Sequence, residues 1–301
     1  MSLRPLLWKR CYRITQSKRF SSQSVPTPAA LEKLGKWLSD YRGGSIRLDI
    51  DETDQTTAVI TIQHESKRNA MTGSMMVEFA SVLARLQNWP SGQLVILRGS
   101  ESHFCSGGDL DFIANSDMGR RMSTFVHHRI ALPLACSPFV SVALIEGHAL
   151  GGGAELTMAC DYRVMTPKAK LGFVQQTLGV TPGWGGCTML QRHVSYKTAL
   201  TALLSGKVYS ADQALKAELI DHILDPSDNP NFLVDRCKQW MLSQFPERAP
   251  TSRALKSALL GAYCPRQALD SSLAQEREQF ASVWGSPDHI DLLNKAWKSK
   301  K

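Results

Sequence analysis

An α/β core followed by a helical tail is the fold class that this sequence predicts, on three observations. Runs of strand length recur between apolar stretches of helical period over residues 45–166. Their order reads β-β-α-β-α-β-α-β, and glycine clusters follow two of the strands directly, at the strand ends where α/β domains keep their sites. From about residue 196 the strand signals fade, and helical patterns punctuated by Pro246, Pro250, Pro265 and Pro287 take over.

The elements follow in order. Residues 45–50 (SIRLDI) and 57–63 (TAVITIQ) alternate apolar and polar residues about the polar DETDQT, which predicts a β-hairpin. Met75, Met76, Phe79, Val82, Leu83 and Leu86 recur at helical spacing and predict a helix over 74–88. LVILRG (94–99) reads as a short buried strand, 117–136 as a helix and PFVSVALIEG (138–147) as a second buried strand. A helix starts near Gly151, and YRVMT (162–166) is a further strand. Helices are expected over 230–245, 248–260, 266–283 and 288–298. The chain divides accordingly into residues 1–31, a basic leader or disordered tail, a core over 32–200 and a helical C-terminal region over 201–301.

Composition narrows the function. Of 301 residues 43% are hydrophobic and 21% charged, which is ordinary for a globular chain. No apolar run approaches the roughly 18 residues of a membrane-spanning helix, so a soluble protein without a membrane partner is expected. The formal charge of +8 owes six of its positive charges to Arg4, Lys9, Arg10, Arg13, Lys18 and Arg19, ahead of the first acid, Glu32. The remainder is close to neutral and gives no reason to expect a nucleic-acid partner. The basic segment itself, serine-containing and free of acids, has the composition of a mitochondrial transit peptide. Seven widely spaced cysteines without a C-x-x-C pair fit neither a disulfide framework nor a zinc site, and point to a reducing compartment. His64, His103, His127, His128, His148 and His193 form no ligand-spaced cluster, so no metal is expected.

The chemistry concentrates in three glycine-rich stretches. GHALGGGAEL (147–156) lies between a buried strand and a helix. Glycine permits close backbone approach, and a helix start offers unpaired N–H donors, so this turn suits an anion or a developing oxyanion. It carries neither the Gly-Lys-Ser/Thr of a phosphate loop nor the G-x-G-x-x-G spacing of a dinucleotide site. Alone, such a turn is most often just close packing of helix on strand. HFCSGGDL (103–110) repeats the arrangement after the strand 94–98, and two such turns can each lend one N–H to a single carbonyl oxygen. GVTPGWGG (179–186) adds a rigid turn with Pro182 and Trp184, a wall residue of a pocket or a core aromatic.

Together, FCSGGDL, GHALGGGAEL and LGVTPGWGG resemble the crotonase (enoyl-coenzyme A hydratase/isomerase) superfamily from about residue 45 to the C-terminus. The resemblance implies a crotonase-type spiral of ββα units with a helical C-terminal region that serves oligomerisation and pocket closure, assembling as a homotrimer or homohexamer. It implies an acyl-coenzyme A substrate whose thioester carbonyl points between the N–H groups of Gly108 and Gly152. Coenzyme A is expected along Lys67, Arg68 and Ala70 and the first glycine motif with Ser106, Asp109 and Leu110. His148, Pro182 and Trp184 are candidates to touch the substrate.

Hydratases of this superfamily use two carboxylates. The first falls at Glu155; the second falls at Gln175, an amide that cannot carry a proton in or out at neutral pH. Decarboxylation asks for less: an oxyanion hole for the thioester enolate and one proton for the α-carbon. Glu155 can supply that proton, or orient the carboxylate or a water. Within the superfamily RGGSIRLDI, LGVTPGWGG and SVWGSP resemble the ethylmalonyl-coenzyme A decarboxylase branch. That implies ethylmalonyl- and, more weakly, methylmalonyl-coenzyme A as substrates, with no cofactor beyond the coenzyme A of the substrate. The branch implies the cytosol, whereas the leader-like N-terminus suggests the mitochondrial matrix. An enoyl-coenzyme A hydratase or isomerase, a thioester hydrolase and a non-catalytic RNA- or protein-binding module are the alternatives.

Overall fold

The expected hairpin begins the sheet: β1 (Ser45–Ile50) and β2 (Thr57–Gln63) pair antiparallel, from Ser45 opposite Gln63 to Ile50 opposite Ala58. The computed structural model describes residues 25–53, 55–109, 118–225, 232–245, 249–263 and 266–298. The basic segment before residue 25 and the candidate Leu110 lie outside these. Downstream come β3 (Leu94–Gly99), β4 (Val140–Ile145), β5 (His148–Leu150), β6 (Tyr162–Met165), β7 (Lys170–Gly172), β8 (Val208–Ser210) and β9 (His222–Ile223). The main sheet runs β1-β2-β3-β4-β6-β9 and is parallel from β2 onward; a small second sheet runs β5-β7-β8.

The continuous apolar run of β3 is explained by burial on both faces. Val95 and Leu97 point into the larger core with Met75, Met76, Phe79 and Leu83 of α2 (Gly73–Gln87). Leu94 and Ile96 point the other way, into a smaller cluster with Val142, Leu144 and Val164. Thr72 starts α2, its hydroxyl accepting from the Met75 N–H, a cap of the kind that Ser, Thr, Asp and Asn provide.

α1 (Pro28–Leu38) crosses the boundary expected at residue 31. Thr27 caps it, Pro28 opens it, and Leu31, Gly35 and Leu38 are buried. α3 (Met118–Val126) passes through a π turn (His127–Ala131) into α4 (Leu132–Ala135). Pro133 has no N–H to return to the preceding turn, and the helix widens just before it. After β5 come α5 (Gly152–Ala159), α6 (Gly186–Leu190), α7 (Tyr196–Ser205) and α8 (Ala211–Lys216). The tail is helical as expected: α9 (Leu233–Gln244), α10 (Ala249–Tyr263), α11 (Arg266–Val283) and α12 (Pro287–Lys298). α9 brings Leu233, Cys237 and Met241 onto the smaller cluster.

One expectation needs correction. Strands do not end near 196, because β8 joins the second sheet and β9 the main one. At two or three residues each they are too short to show a period. The run 138–147 holds one strand as expected, β4, which stops at Ile145; Gly147 then turns at φ 52°, and β5 starts in another sheet.

Arg163 of β6 fastens this late strand. Fully buried, it donates to the carbonyls of Leu219 (3.0 Å), Cys160 (3.2 Å) and Asp161 (3.4 Å) and pairs with Asp221 at 2.9 Å. Replacing Arg163 with methionine is expected to cost about 3 kcal/mol, since buried carbonyls lose their donor, and urea unfolding will measure the loss.

Candidate active site

β3 and β4 are neighbours in the sheet, so the turns that leave their C-terminal ends lie side by side. Backbone bonds stitch them together. The N–H groups of Phe104 and Cys105 donate to the His148 carbonyl at 3.2 and 3.0 Å, and that of Leu150 donates to the Cys105 carbonyl at 3.0 Å. Gly107, at φ 100°, runs so close to the second turn that a Cβ there would stand 3.3 Å from the Gly152 nitrogen.

This approach sets the two candidate oxyanion donors. Gly107 accepts from the Met71 N–H at 2.8 Å and Asp109 donates to the Met71 carbonyl at 2.9 Å, so the Gly108 N–H between them points away from Met71. Gly152 is the first residue of α5, where an N–H has no partner within the helix. Both glycines are partly exposed, while Gly107, Asp109, Gly151 and Gly153 are buried. Both glycines therefore stay accessible to a ligand.

Glu155 lies one turn along α5, 2% exposed. Its carboxylate is enclosed by the GVTPGWGG turn. Oε1 accepts from Gln175 Nε2 at 2.7 Å and from the Gly183 N–H at 3.3 Å. Oε2 accepts from the N–H groups of Trp184 at 2.6 Å and Gly186 at 2.9 Å. Burial pushes this carboxyl up to about 7 against the pull of those four donors. Desolvation therefore outweighs the hydrogen bonds that favour the charged form. Near neutral pH the group is poised to hold or release a proton.

Gln175, on a 3₁₀ turn (Val174–Leu178), is itself buried, and among the described residues its Oε1 has no donor. The Trp184 ring lies directly over Gly152: a Cβ there would meet Cε3 and Cζ3 at 2.6 Å. Trp184, buried like Pro182, thus gives Gly152 an apolar wall.

The remaining candidates gather around the first turn. Lys67 pairs with buried Asp109 at 2.8 Å, and Ser106 is tied to the same loop by its hydroxyl on the Lys67 carbonyl and its N–H on the Arg68 carbonyl, both 3.1 Å. Arg68 is exposed and in the left-handed region, and Ala70 is buried. The His148 ring lies 5.5 Å from that of His103; burial and the charges of His103, Arg68 and Lys170 hold its protonation below the usual histidine range.

Two residues of this neighbourhood escaped the sequence reading. Asn69, fully buried, donates to the carbonyls of Ser100 (2.9 Å) and His103 (2.8 Å) and accepts from the His64 N–H (2.8 Å). It clamps the 64–71 loop to the first glycine turn, and asparagine's tolerance of positive φ was the available signal. Glu276 reaches the α6 backbone from the distant α11, and nothing local in sequence points to it.

Known proteins share this chain's sequence and fold. Residues 52–290 match the family model described as enoyl-CoA hydratase/isomerase. The chain is 35% identical over 271 residues to an ethylmalonyl-CoA decarboxylase of Xenopus laevis, covering 89% of this chain and 88% of the other. It is 34% identical to that of Gallus gallus, covering 97% and 99% of the two chains, and 33% identical to that of Homo sapiens, covering 90% and 87%. Among solved structures, an enoyl-CoA hydratase from Bacillus halodurans superposes with a TM-score of 0.73 at 26% identity, covering 83% of this chain and 99% of the other. In sequence and in fold alike, the chain belongs to the enoyl-CoA hydratase/isomerase family.

Proposed function

We propose that the protein decarboxylates ethylmalonyl-CoA to butyryl-CoA and, more weakly, methylmalonyl-CoA to propionyl-CoA, clearing such side products. The observation that carries this reading is the pairing of Glu155 with an amide, Gln175, at 2.7 Å, where hydration asks for a second carboxylate. The curated relatives named ethylmalonyl-CoA decarboxylase support the same choice.

The thioester oxygen sits between the Gly108 and Gly152 N–H groups. The bond from the α-carbon to the carboxylate breaks, CO₂ leaves, and the electron pair moves into the thioester as an enolate held by those two donors. Protonated Glu155 then gives its proton to the α-carbon and regains one from solvent. A neutral Glu155 does not repel the incoming substrate carboxylate, and the Trp184 wall keeps water from competing. Lys67, Arg68, Ala70, Ser106 and Asp109 flank the coenzyme A moiety, and no metal or organic cofactor takes part. Tyr196, Leu200 and Leu204 leave an exposed apolar stripe along α7, which supports assembly into a homotrimer or homohexamer. Among the described residues no helix is long and apolar enough to cross a membrane. We place the protein in the cytosol; a fluorescent fusion of residues 1–40 that entered mitochondria would reverse this.

Incubation with ethylmalonyl-CoA, followed by mass spectrometry, should yield butyryl-CoA, with no hydration of crotonyl-CoA in a parallel sample. Brisk hydration without decarboxylation makes the protein a hydratase, and release of free coenzyme A makes it a hydrolase. The variant Gln175→Glu sets a second carboxylate within hydrogen-bond reach of Glu155. It is expected to lose roughly 10-fold or more of the decarboxylation rate and to gain measurable crotonyl-CoA hydration, because the acid–base pair is then complete.

A further inference from the structure

A second buried carboxylate stands on the other side of the turn that encloses Glu155. Glu276 of α11 is 6% exposed. Its Oε1 accepts from the Cys187 N–H at 3.2 Å, and its Oε2 from the Thr188 N–H at 2.9 Å and the Thr188 hydroxyl at 2.7 Å. Glu155 takes the N–H groups of Gly183, Trp184 and Gly186. The two carboxylates thus bracket one stretch of backbone and take consecutive donors, at Gly186 and Cys187.

Among the described residues neither carboxylate is paired with a lysine or arginine. Other charges around α11 are engaged elsewhere. Arg277, beside Glu276 in sequence, interacts with Glu278 and Asp270, and Arg120 of α3 binds Glu278 at 2.6 Å. On the π turn, His128 lies 4.0 Å from Asp270, and burial keeps His127 neutral. On α6 the Cys187 thiol is pushed far up by burial and by the two glutamates. Arg121 of α3 lies over Trp37, and Arg192, past α6, lies by Met189. Glu155 and Glu276 are left as each other's electrostatic neighbours.

We infer that Glu155 and Glu276 titrate as a coupled pair, with Glu276 a positioning residue that holds the backbone around Glu155 and keeps its own proton until after Glu155 has ionised. Two buried like charges without a counter-ion do not form together readily, so ionisation of one delays that of the other. Burial and the Glu155 charge push the Glu276 carboxyl up to about 8, in the same sense. This inference rests on the reading that Glu155 delivers the proton, but the coupling is measurable without turnover.

The experiment is an infrared titration of the carboxylic-acid C=O band in the wild type and in Glu276→Gln and Glu155→Gln, with the decarboxylation pH profile recorded alongside. In the wild type the band should vanish in two steps around neutral pH. Glu155→Gln should move the Glu276 titration to lower pH, by about half a unit or more, whereas Glu276→Gln removes a group still neutral when Glu155 ionises and should leave the first step in place. The alkaline limb of activity in Glu276→Gln should accordingly keep the wild-type midpoint. A single-step loss in the wild type, or a Glu276 titration unmoved in Glu155→Gln, overturns the inference. Coupled titration in a protein without decarboxylase activity retains the pair and rejects the catalytic reading instead.

Discussion

Glutamine in place of Glu155 is expected to lower kcat for ethylmalonyl-CoA decarboxylation by about 100- to 10,000-fold, the usual worth of a positioned acid or base. The amide is nearly isosteric and keeps one acceptor oxygen for the turn, but it has no proton to give at neutral pH. Wild-type activity should fall as pH rises through about 7, where Glu155 ionises, and the glutamine variant should lack that limb. Alanine is the wrong probe. It would leave the N–H groups of Gly183, Trp184 and Gly186 and the Gln175 amide without an acceptor, each buried orphan costing about 1–3 kcal/mol. Loss of fold would then pass for loss of chemistry. Stopped-time assays across pH 5–9 (a range of about four units around the shifted group) separate the two, and a glutamine variant with wild-type kcat would exclude Glu155 as the proton donor.

Alanine in place of Gly152 is expected to lower kcat by about 100- to 1,000-fold, comparable to losing one oxyanion donor. The added methyl would stand 2.6 Å from the Trp184 ring. Trp184 cannot move aside freely, because its ring is 4% exposed and its N–H holds Glu155 Oε2 at 2.6 Å. The backbone of residue 152 must therefore shift, which takes its N–H out of line with that of Gly108. Overpacking of this kind also costs about 1–3 kcal/mol of stability. Urea unfolding beside the kinetics checks that enough stability remains. A folded variant with an unchanged kcat would remove the Gly152 N–H from the mechanism.

Much of the site was readable because it is local. Glu155 stands three residues after Gly152, so both fall in the first turn of α5, and the glycine turn before them announces where the helix starts. Gly107, Gly108 and Asp109 follow β3 in the same way. Gln175 could be picked out by its distance from Gly179, but its bond to Glu155 could not, since that depends on how the 3₁₀ turn packs against α5. Glu276 could not be found at all: on an exposed-looking helical pattern an acid reads as a solvated residue, and only the docking of α11 on α6 buries it.

Residue order alone carries the α/β class, the long strands, the tail helices and the two glycine turns, because each rests on side-chain period or on backbone freedom within a few residues. Packing decides the rest. It makes β5, β7, β8 and β9 strands, although none has the length to show a pattern. It also encloses Glu155 in four hydrogen bonds and raises its carboxyl to about 7. Desolvation is a property of everything that surrounds a group, and the atoms that surround Glu155 come from segments far apart along the chain.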